Sequence, residues 1–589
     1  MSQICGVVCP ASPVDCQTLL DKMCDVNWRG TGTVRTFSAP GAAMALWSPP
    51  GTPPPHRSQA APADSRGGIC VFCGRAVWNG TTDAVRPDEA LTGARPLESG
   101  DAEQGPAWAP SRLNGIFAGA HWDAAARRLA LVTDRYSYRP LYYFHDESRG
   151  LLAFSSRLMG LVRGGIAPIR PNWEACSVFV CFAHCLGDET MFEGVRRVPS
   201  GKSLTFEAGG VRFVEHWSPK DLSIRQDMSV DEAIEANGQG FERAVRRSCA
   251  CAGNRPAVFL SGGLDSRLIA AELELQGIDF VTYTTRGFRP GPVDRAAAEE
   301  VARRLGVPNT FVNLPGDFVR RCWARAAELA DYETDLHQWA VPLTEALPEG
   351  LTSGYNGLGG DTLNLMVLSN GPFRDMRKFH QAEQMTSRQL ADILAGPPWS
   401  LGFLSKRLRR RLSYDAAIAG VERELARYEG SRNRLTLFTL LGRTRRSLSL
   451  ASLQICQQKV EPLLPFMDND YFELAMSIPP EIRIPRCLRT DVLNARYPKV
   501  SDIPMALRPD QARLWRDERD DFAFGRLVRQ LRWQRVCGLL VRNSWMFHRP
   551  RAAVRAAHYL LTGRDYMFNE RLSALLTWLA TFFPGGMGI

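Results

Sequence analysis

Apolar and polar positions follow one pattern up to about residue 217 and another after about residue 228. In the first part, short apolar runs stand between turn residues, which is typical of β-strands. The pattern predicts strands at residues 43–47, 68–73, 115–122, 129–133, 141–144, 151–155 and 203–206. The stretch 48–68 is rich in Pro, Ala and Ser, and we expect it to form a surface loop inside this part.

The second part alternates between strands and helices. Helical periodicity covers residues 231–248, 267–276 and 294–305, and short apolar runs at 257–260, 280–284 and 310–314 separate these helices. Such alternation predicts a parallel sheet with helices on both faces. After about residue 320 the pattern is mainly helical. The sequence therefore predicts an α/β protein with domains at residues 1–222 and 223–589.

The composition is that of an ordinary globular protein. The chain has 589 residues, of which 45% are hydrophobic and 23% are charged, and at roughly 150 residues per domain it is long enough for two to four domains. No apolar run reaches the roughly 18 residues that a membrane helix needs. The first residues lack the basic and apolar segments of a secretory signal. We therefore expect a cytoplasmic protein without a membrane partner.

Cysteine usage agrees with a reducing environment. The 15 Cys residues are scattered along the chain, unlike those of a small disulfide-bonded scaffold. Cys70 and Cys73 form a CxxC pair in a strand-like run, but no second pair completes a zinc site. We expect both to be reduced core thiols, with metal or redox use as the alternative.

The net charge of +10 permits several kinds of partner. Basic clusters lie at residues 406–411, 443–446 and 513–555. They could bind nucleic acid, an acidic peptide or a nucleotide, or they could be solvated helix faces. Apolar residues interleave with the arginines at helical spacing, which favours solvated faces for most of them. We expect no nucleic-acid partner.

Candidate chemistry lies where the strand at 257–260 runs into Ser261-Gly262-Gly263-Leu264-Asp265-Ser266 and then into a helix. The strand delivers the loop to the sheet edge where ligands bind. Two glycines allow close backbone approach, and the N-terminus of the next helix attracts an anion. Asp265 would repel a bare phosphate, which indicates a bridging Mg²⁺. A glycine turn without a ligand is the alternative, but the full hexapeptide favours a phosphate site.

This hexapeptide resembles the pyrophosphate loop of the ATP-pyrophosphatase group, while the GxxxxGK[ST] pattern of γ-phosphate transfer is absent. The segment Asn356-Gly357-Leu358-Gly359-Gly360-Asp361-Thr362 is similar to the second signature of the asparagine synthetase family, and residues 461–468 are similar to a third. The resemblance implies that ATP and Mg²⁺ are used to adenylate a carboxyl group, which a nitrogen nucleophile then attacks. It also implies that Asp265 and Asp361 hold the metal and that the nucleotide contacts are Leu260, Ser261, Gly262, Gly263, Ser266, Gly357 and Arg489.

The first part of the chain resembles the same family at residues 113–123, 134–143 and 189–201. The resemblance implies a glutaminase-type domain with the Ntn-hydrolase fold, followed by a synthetase domain. Glutamine-using members have a Cys directly after Met1, whereas here Cys5 follows Ser2, Gln3 and Ile4. Cys73 stands where the family's glutamine pocket has an Asn. We therefore expect an inactive glutaminase domain, with Cys5 acting after unusual processing as the alternative.

The synthetase part departs from asparagine synthetases as well. Leu358 replaces a Glu and favours a larger, partly apolar substrate, and Thr362 replaces a second Glu. The family's late Lys is missing after Ile503-Pro504, and Arg508 and Arg513 are candidate replacements, with ordinary surface arginines as the alternative. Arg489 is a candidate for an earlier phosphate-contacting Lys. His337 is expected to be structural.

With these departures, the chain resembles the lasso peptide cyclases. In those enzymes the attacking amine belongs to the peptide substrate. The resemblance implies a precursor peptide as substrate and, as partners, a leader-recognition protein and a leader protease. Two other hypotheses remain open at this point. One is a glutamine- or ammonia-dependent asparagine synthetase, and the other is a non-catalytic nucleotide-binding scaffold.

Overall fold

The computed structural model describes residues 2–10, 15–28, 32–49, 68–79, 81–82, 110–207, 210–285, 293–313, 318–334, 337–363, 376–396, 401–402, 404–486, 488–504, 542–547 and 572–586. Arg508, Arg513 and most of the predicted surface loop at 48–68 lie outside these residues.

The first part of the chain forms two antiparallel sheets packed face to face. One sheet has the strand order β2-β3-β1-β8-β7-β9, and the other has the order β11-β10-β6-β5-β4. The strands are β1 Gln3–Val8, β2 Thr33–Ala39, β3 Ala42–Ser48, β4 Ile69–Trp78, β5 Leu113–Asp123, β6 Arg128–Thr133, β7 Tyr142–Asp146, β8 Leu151–Ser155, β9 Val195–Arg197, β10 Lys202–Glu207 and β11 Gly210–Glu215. The predicted strands are confirmed, with the predicted ends at β8 and shifted ends elsewhere, and β1, β2, β9 and β11 were not predicted.

Strand β1 is buried on both faces. Ile4 and Val8 pack between the two sheets, while Cys5 and Val7 pack against a layer of helices on the outer face. A strand covered on both sides has a continuous apolar run instead of an alternating one. The helices near this face are Cys16–Trp28, Leu158–Val162 and Trp173–Phe182.

The second part contains the predicted parallel sheet, in the order β14-β13-β12-β15-β16. Its strands are β12 Ala257–Phe259, β13 Val281–Thr285, β14 Asn309–Val312, β15 Ser353–Tyr355 and β16 Glu461–Leu463. The chain proceeds from β12 outward through β13 to β14, and it then returns to the other side of β12 with β15. The order of the strands therefore reverses between β12 and β15, and ligands bind at the carboxyl end of such a switch point.

Helices surround this sheet, as the sequence predicts. They are Val230–Cys251, Leu264–Leu275, Val293–Leu305, Phe318–Leu329, Ala340–Glu345, Gly360–Leu363, Met376–Glu383, Ser387–Ala395, Lys406–Arg411, Tyr414–Ala426, Arg434–Thr439, Asn469–Ser477, Pro480–Arg486, Leu488–Arg496 and Pro498–Ser501. After Thr439 the helix continues with π-helical hydrogen bonding over Leu440–Leu448 and Ala451–Ile455. Within the described residues, no helix combines the length and apolar character needed to cross a membrane.

The helix Leu572–Phe582 lies far along the chain but packs on the first part. The Trp578 and Phe192 rings are 5.0 Å apart between centroids, and both residues belong to the apolar cluster that contains Cys5 and Cys176. The predicted boundary at 222/223 therefore separates the sheets but does not separate every helix.

Buried ion pairs join the two parts of the chain. Arg139 of the first part contacts Glu461 at the start of β16, and both side chains are 2% exposed. Arg157 binds Asp331 through Nε and Nη2, at 3.0 and 2.9 Å from Oδ1. The basic cluster at 443–446 was expected to be solvated, but Arg445 and Arg446 are buried and pair with Asp188 and Glu333. Arg445 joins the two parts through Asp188. Glu333, in contrast, lies in the second part, and Arg446 reaches the first part by donating to the Gly187 and Glu189 carbonyls at 2.7 and 2.8 Å.

Candidate active site

Two loops meet at the switch point of the parallel sheet. Strands β12 and β15 are neighbours, with Ala257 opposite Gly354 and Val258 opposite Tyr355. The segment 260–266 follows β12, and the segment 356–361 follows β15. Because parallel strands end at the same edge, the two sequence motifs lie side by side. The predicted meeting of these two segments is thus present in the structure.

The first loop leads directly into the helix Leu264–Leu275, which begins three residues earlier than predicted. Asp265 and Ser266 consequently lie in its first turn. The loop is closed by hydroxyl groups, since Ser266 Oγ accepts from the Ser261 N–H at 3.1 Å and donates to the Ser261 carbonyl at 3.1 Å. No side chain caps this helix at Gly263. An uncapped helix N-terminus beside glycine backbone and two hydroxyls is a suitable anion site.

The second loop packs directly on Asp265. A Cβ atom at Gly360 would lie 2.4 Å from Asp265 Oδ1, and one at Gly357 would lie 2.6 Å from Asp265 Cβ. Gly359, between them, has a φ of +91°, which favours glycine. The loop needs its glycines because no side chain fits between its backbone and the carboxylate.

The Asp265 and Asp361 carboxylates lie close enough to influence each other. Burial raises the pKa of Asp265 to about 6, the Arg489 guanidinium opposes this shift, and the Asp361 carboxylate adds to it. The Asp361 backbone N–H also donates to Asp265. A divalent cation between two such carboxylates would relieve their repulsion.

Arg489 lies on the helix Leu488–Arg496 and forms an ion pair with Asp265. Its side chain is 2% exposed, and that of Asp265 is 19% exposed. The sequence suggested a phosphate contact for Arg489. In the structure its guanidinium contacts Asp265, which belongs to the phosphate loop. The phosphate contact itself stays a prediction.

The residues fit ATP and Mg²⁺. The part of the chain that the structure describes contains no group of three or more His, Cys, Asp or Glu side chains able to enclose a metal. Two carboxylates at an anion-binding loop are instead typical of Mg²⁺, which keeps water ligands and binds phosphate oxygens. Asp265 and Asp361 would hold the ion, and the loop 261–266 would hold the phosphates.

Two of the predicted residues have side chains that point into the protein core. Leu260 is 1% exposed and Leu358 is 9% exposed, and both belong to the same apolar cluster. Leu260 can therefore reach a nucleotide through its backbone. Leu358 was expected to face an apolar substrate, but its side chain mainly packs against the protein.

Arg267 was missed by the sequence reasoning. It is fully buried and donates to the Gly262 carbonyl at 3.2 Å, to Val500 at 3.3 Å and to Ile503 at 2.7 Å. It thereby joins the phosphate loop to the segment before residue 505. An arginine in the first turn of the helix, two positions after Asp265, was the available signal.

Replacing Arg267 with Met is expected to lower ATP-dependent pyrophosphate release by about 10- to 100-fold, since the Gly262 carbonyl loses its anchor and small misplacements of a site are costly. Initial rates at saturating ATP test this. Arg304→Met is the matched control, because Arg304 reaches the same segment through the Lys499 carbonyl from a partly exposed position. Equal rates for Arg267→Met and wild type would remove Arg267 from the site.

The Cys5 thiol of the first part of the chain is not accessible to solvent. Cys5 is fully buried in β1, and its Sγ lies 4.0 Å from Cys24 Sγ. Burial raises the pKa of Cys5 well above its ordinary value. Cys73 is also buried, and its pKa is raised to about 11 by burial. A neutral, enclosed thiol is a poor nucleophile, which supports an inactive glutaminase. Cys70 and Cys73 are both buried.

Cys5→Ala is expected to leave amide formation and glutamine hydrolysis unchanged, because the Cys5 thiol reaches neither solvent nor the phosphate loop. Glutamate release from glutamine, measured for both proteins, tests this. A glutaminase activity that is present in wild type and lost in Cys5→Ala would contradict it.

The fold and this geometry define a glutaminase-type sandwich joined to an ATP-binding synthetase sheet. Residues 102–217 match the glutamine amidotransferase domain family, and residues 238–493 match the asparagine synthase family. The chain therefore contains a glutamine amidotransferase-type domain followed by an asparagine synthase-type domain.

Several curated proteins are similar to this chain. Asparagine synthetase [glutamine-hydrolyzing] 2 of Bacillus subtilis (strain 168) is 27% identical over 275 residues, which are 42% of this chain and 36% of that protein. A probable asparagine synthetase of Acanthamoeba polyphaga mimivirus is 29% identical over 206 residues, 34% of this chain and 35% of that protein. The asparagine synthetase of Gallus gallus is 27% identical over 221 residues, 33% of this chain and 34% of that protein. Each match covers about a third of the relative's length.

Proposed function

We propose that this chain is an ATP-dependent carbon–nitrogen ligase that activates a carboxyl group as its adenylate, releases pyrophosphate and joins the acyl group to an amine. The observation that carries the proposal is the meeting of Asp265 and Asp361 beside the uncapped helix at Gly263. This arrangement provides an anion site and a cation site next to each other.

Each residue of the site has a defined task in this proposal. ATP with Mg²⁺, when bound, supplies the pyrophosphate leaving group and makes the substrate carboxyl reactive. The backbone of Gly262 and Gly263 and the hydroxyls of Ser261 and Ser266 bind phosphate oxygens. Asp265 and Asp361 orient the metal. Arg489 balances charge, because its guanidinium already lies against Asp265.

The amine belongs to the substrate in this proposal. The buried Cys5 counts against ammonia from glutamine, which leaves free ammonia or an amine that arrives with the carboxyl group, and we propose the second. When both groups are on one peptide, folding the peptide in the cleft makes the second step effectively unimolecular. We therefore propose closure of a lasso peptide macrolactam between an N-terminal amine and an Asp or Glu side chain. A leader-recognition protein and a leader protease would then be the partners.

A short open reading frame beside the gene, encoding a peptide with an internal Asp or Glu, provides the substrate for a test. The peptide is incubated with the protein, Mg²⁺–ATP and the leader protease, and its mass is recorded together with pyrophosphate release. Loss of one water that requires ATP and is absent with Asp265→Asn would support ring closure.

Asparagine synthesis is the second candidate function, since the named relatives are asparagine synthetases. The burial of Cys5 counts against the use of glutamine. An unchanged peptide, with asparagine produced from aspartate and an ammonia source, would decide for this candidate. ATP binding without pyrophosphate release in both assays would instead indicate a scaffold.

A further inference from the structure

The π-helical segment Leu440–Leu448 lies between the first part of the chain and the second loop of the candidate active site. It packs against the short helix Gly360–Leu363, which carries Asp361. Long π-helical stretches are rare, and shorter ones often occur at functional sites. The roles proposed above for the metal-binding and phosphate-binding residues do not use this segment.

One side of the π-helical segment reaches Asp361 through two hydroxyl groups. Thr362 Oγ1 donates to Asp361 Oδ1 at 3.1 Å, and Thr444 Oγ1 lies 3.2 Å from Thr362 Oγ1. A hydroxyl group has one hydrogen, and Thr362 uses its hydrogen for the carboxylate. Thr444 is therefore the donor to Thr362. Both threonines are buried, so these hydrogen bonds are shielded from water.

The other side of the segment is bound to the first part of the chain. Arg445 directly follows Thr444, and its Nη2 donates to the Gly187 carbonyl at 2.6 Å and to Asp188 Oδ1 at 2.7 Å. Arg446 donates to the same Gly187 carbonyl at 2.7 Å. Both guanidinium groups are buried. Neighbouring residues of one helical turn thus face the active site and the first part of the chain.

The start of the segment is held by the first part as well. Tyr138 is fully buried, and its hydroxyl donates to the Leu440 carbonyl at 3.3 Å. Contacts at Leu440 and at Arg445 restrict both the translation and the rotation of the segment. Because Thr444 lies between these two positions, the contacts fix the place of its hydroxyl group.

We infer that the first part of the chain positions the Asp361 carboxylate for metal binding, through Arg445 and the hydroxyls of Thr444 and Thr362. This inference rests on the proposed function, in which Asp361 orients the metal. Hydrogen bonds from outside the metal site orient the ligands and raise the affinity for the ion. Thr444 and Arg445 act through other residues and are positioning residues. The first part therefore has a task in ligation that needs no glutaminase activity.

Nucleotide binding with and without metal tests the inference independently of turnover. The titrant is α,β-methylene-ATP, which cannot release pyrophosphate, and binding is measured by calorimetry in Mg²⁺ and in EDTA. The ratio of the two dissociation constants is the gain in affinity that the metal provides. Damage to the fold weakens binding in both conditions, whereas a misplaced Asp361 carboxylate lowers only the gain.

Thr362→Val is expected to lower the metal-dependent gain by about 10- to 100-fold, and Thr444→Val by about 10-fold, because Thr362 contacts the carboxylate directly. Valine has nearly the shape of threonine, so binding in EDTA should stay at the wild-type level. Thr444→Ser keeps the hydroxyl group and should restore the wild-type gain.

Arg445→Met is expected to lower the gain by about 3- to 10-fold, although Arg445 contacts neither the Asp361 loop nor the phosphate loop. Arg427→Met is the matched control. Arg427 Nη1 lies 3.4 Å from Oδ2 of the same Asp188 carboxylate, but Arg427 follows the helix Tyr414–Ala426 and not the π-helical segment. This variant should keep the wild-type gain. Combining Arg445→Met with Thr444→Val should be little worse than Thr444→Val alone, because both act on one hydroxyl group.

A wild-type gain in Thr444→Val and in Arg445→Met would overturn the inference. Equal losses in Thr444→Ser and Thr444→Val, or in Arg427→Met and Arg445→Met, would overturn it as well. The proposed function has a different mode of failure. If wild type shows the metal-dependent gain but no pyrophosphate release with any carboxylate substrate, the ligase function fails while the effect of the variants on the gain is still measured. If wild type shows no gain, the metal site and the inference fail together.

Discussion

Asp265→Asn is expected to lower ATP-dependent pyrophosphate release by about 1000-fold or more while the fold is retained. Asparagine keeps the size of the side chain, so the close contact with Gly360 and Gly357 is preserved. It removes the charge that Arg489 and a metal ion both require. Loss of about 4 kcal/mol of transition-state stabilisation corresponds to this factor. Pyrophosphate release at saturating ATP and Mg²⁺ is the measurement, with thermal unfolding to verify the fold.

Asp361→Asn should cause a loss of the same order, and the double variant should be little worse than either single one, because both carboxylates serve one metal. Asp279→Asn is the control, since Asp279 is exposed and pairs with Arg255 at the opposite end of β13. Substantial pyrophosphate release from Asp265→Asn would separate Asp265 from the metal and leave its ion pair with Arg489 as a structural feature.

The sequence was sufficient to predict elements whose signals are local. Apolar runs bounded by turn residues predicted β3 and β8, and the strand–glycine–helix order predicted the phosphate loop. The helix was predicted to begin at residue 267, because the two glycines indicated a loop and Asp265 is polar. In the structure it begins at Leu264. Strand β1 was missed although β3 and β8 are buried just as continuously, because its short run is interrupted by Gly6, a residue type that is depleted in strands.

Features that depend on distant pairs could not be predicted. Arg445 and Arg446 resemble a solvated face in the sequence, but their partners Asp188 and Glu333 lie in other parts of the chain. Arg267 resembles an ordinary helical arginine until the carbonyls of Val500 and Ile503 are placed beside it. The Leu358 side chain packs in the protein's own apolar core. In each case the residue's contacts come from distant parts of the chain, and the sequence alone does not indicate them.

Glu461→Ala is expected to lower the free energy of unfolding by about 3–5 kcal/mol, because it leaves the buried Arg139 guanidinium without its counter-charge. Arg139 otherwise keeps hydrogen bonds to Gln457 at 3.0 Å and to the Ser2 carbonyl at 3.4 Å. Those neutral acceptors do not replace a carboxylate. Urea unfolding at neutral pH is the measurement.

The same ion pair gives a pH dependence with a defined sign. Burial disfavours the charged Glu461, yet the charges around it, Arg139 first, lower its pKa to about 2. The ionised carboxylate contributes its full stabilisation at pH values above the pKa of Glu in the unfolded chain, about 4.3. This contribution is lost as the pH falls toward the folded-state pKa of about 2. Wild type should therefore lose stability relative to Glu461→Ala between about pH 4 and pH 2. Arg139→Met combined with Glu461→Ala should recover part of the loss at neutral pH, since the unpaired charge is then gone. If the single variant is as stable as wild type at neutral pH, the two parts of the chain are held together by their shared apolar core and not by this pair.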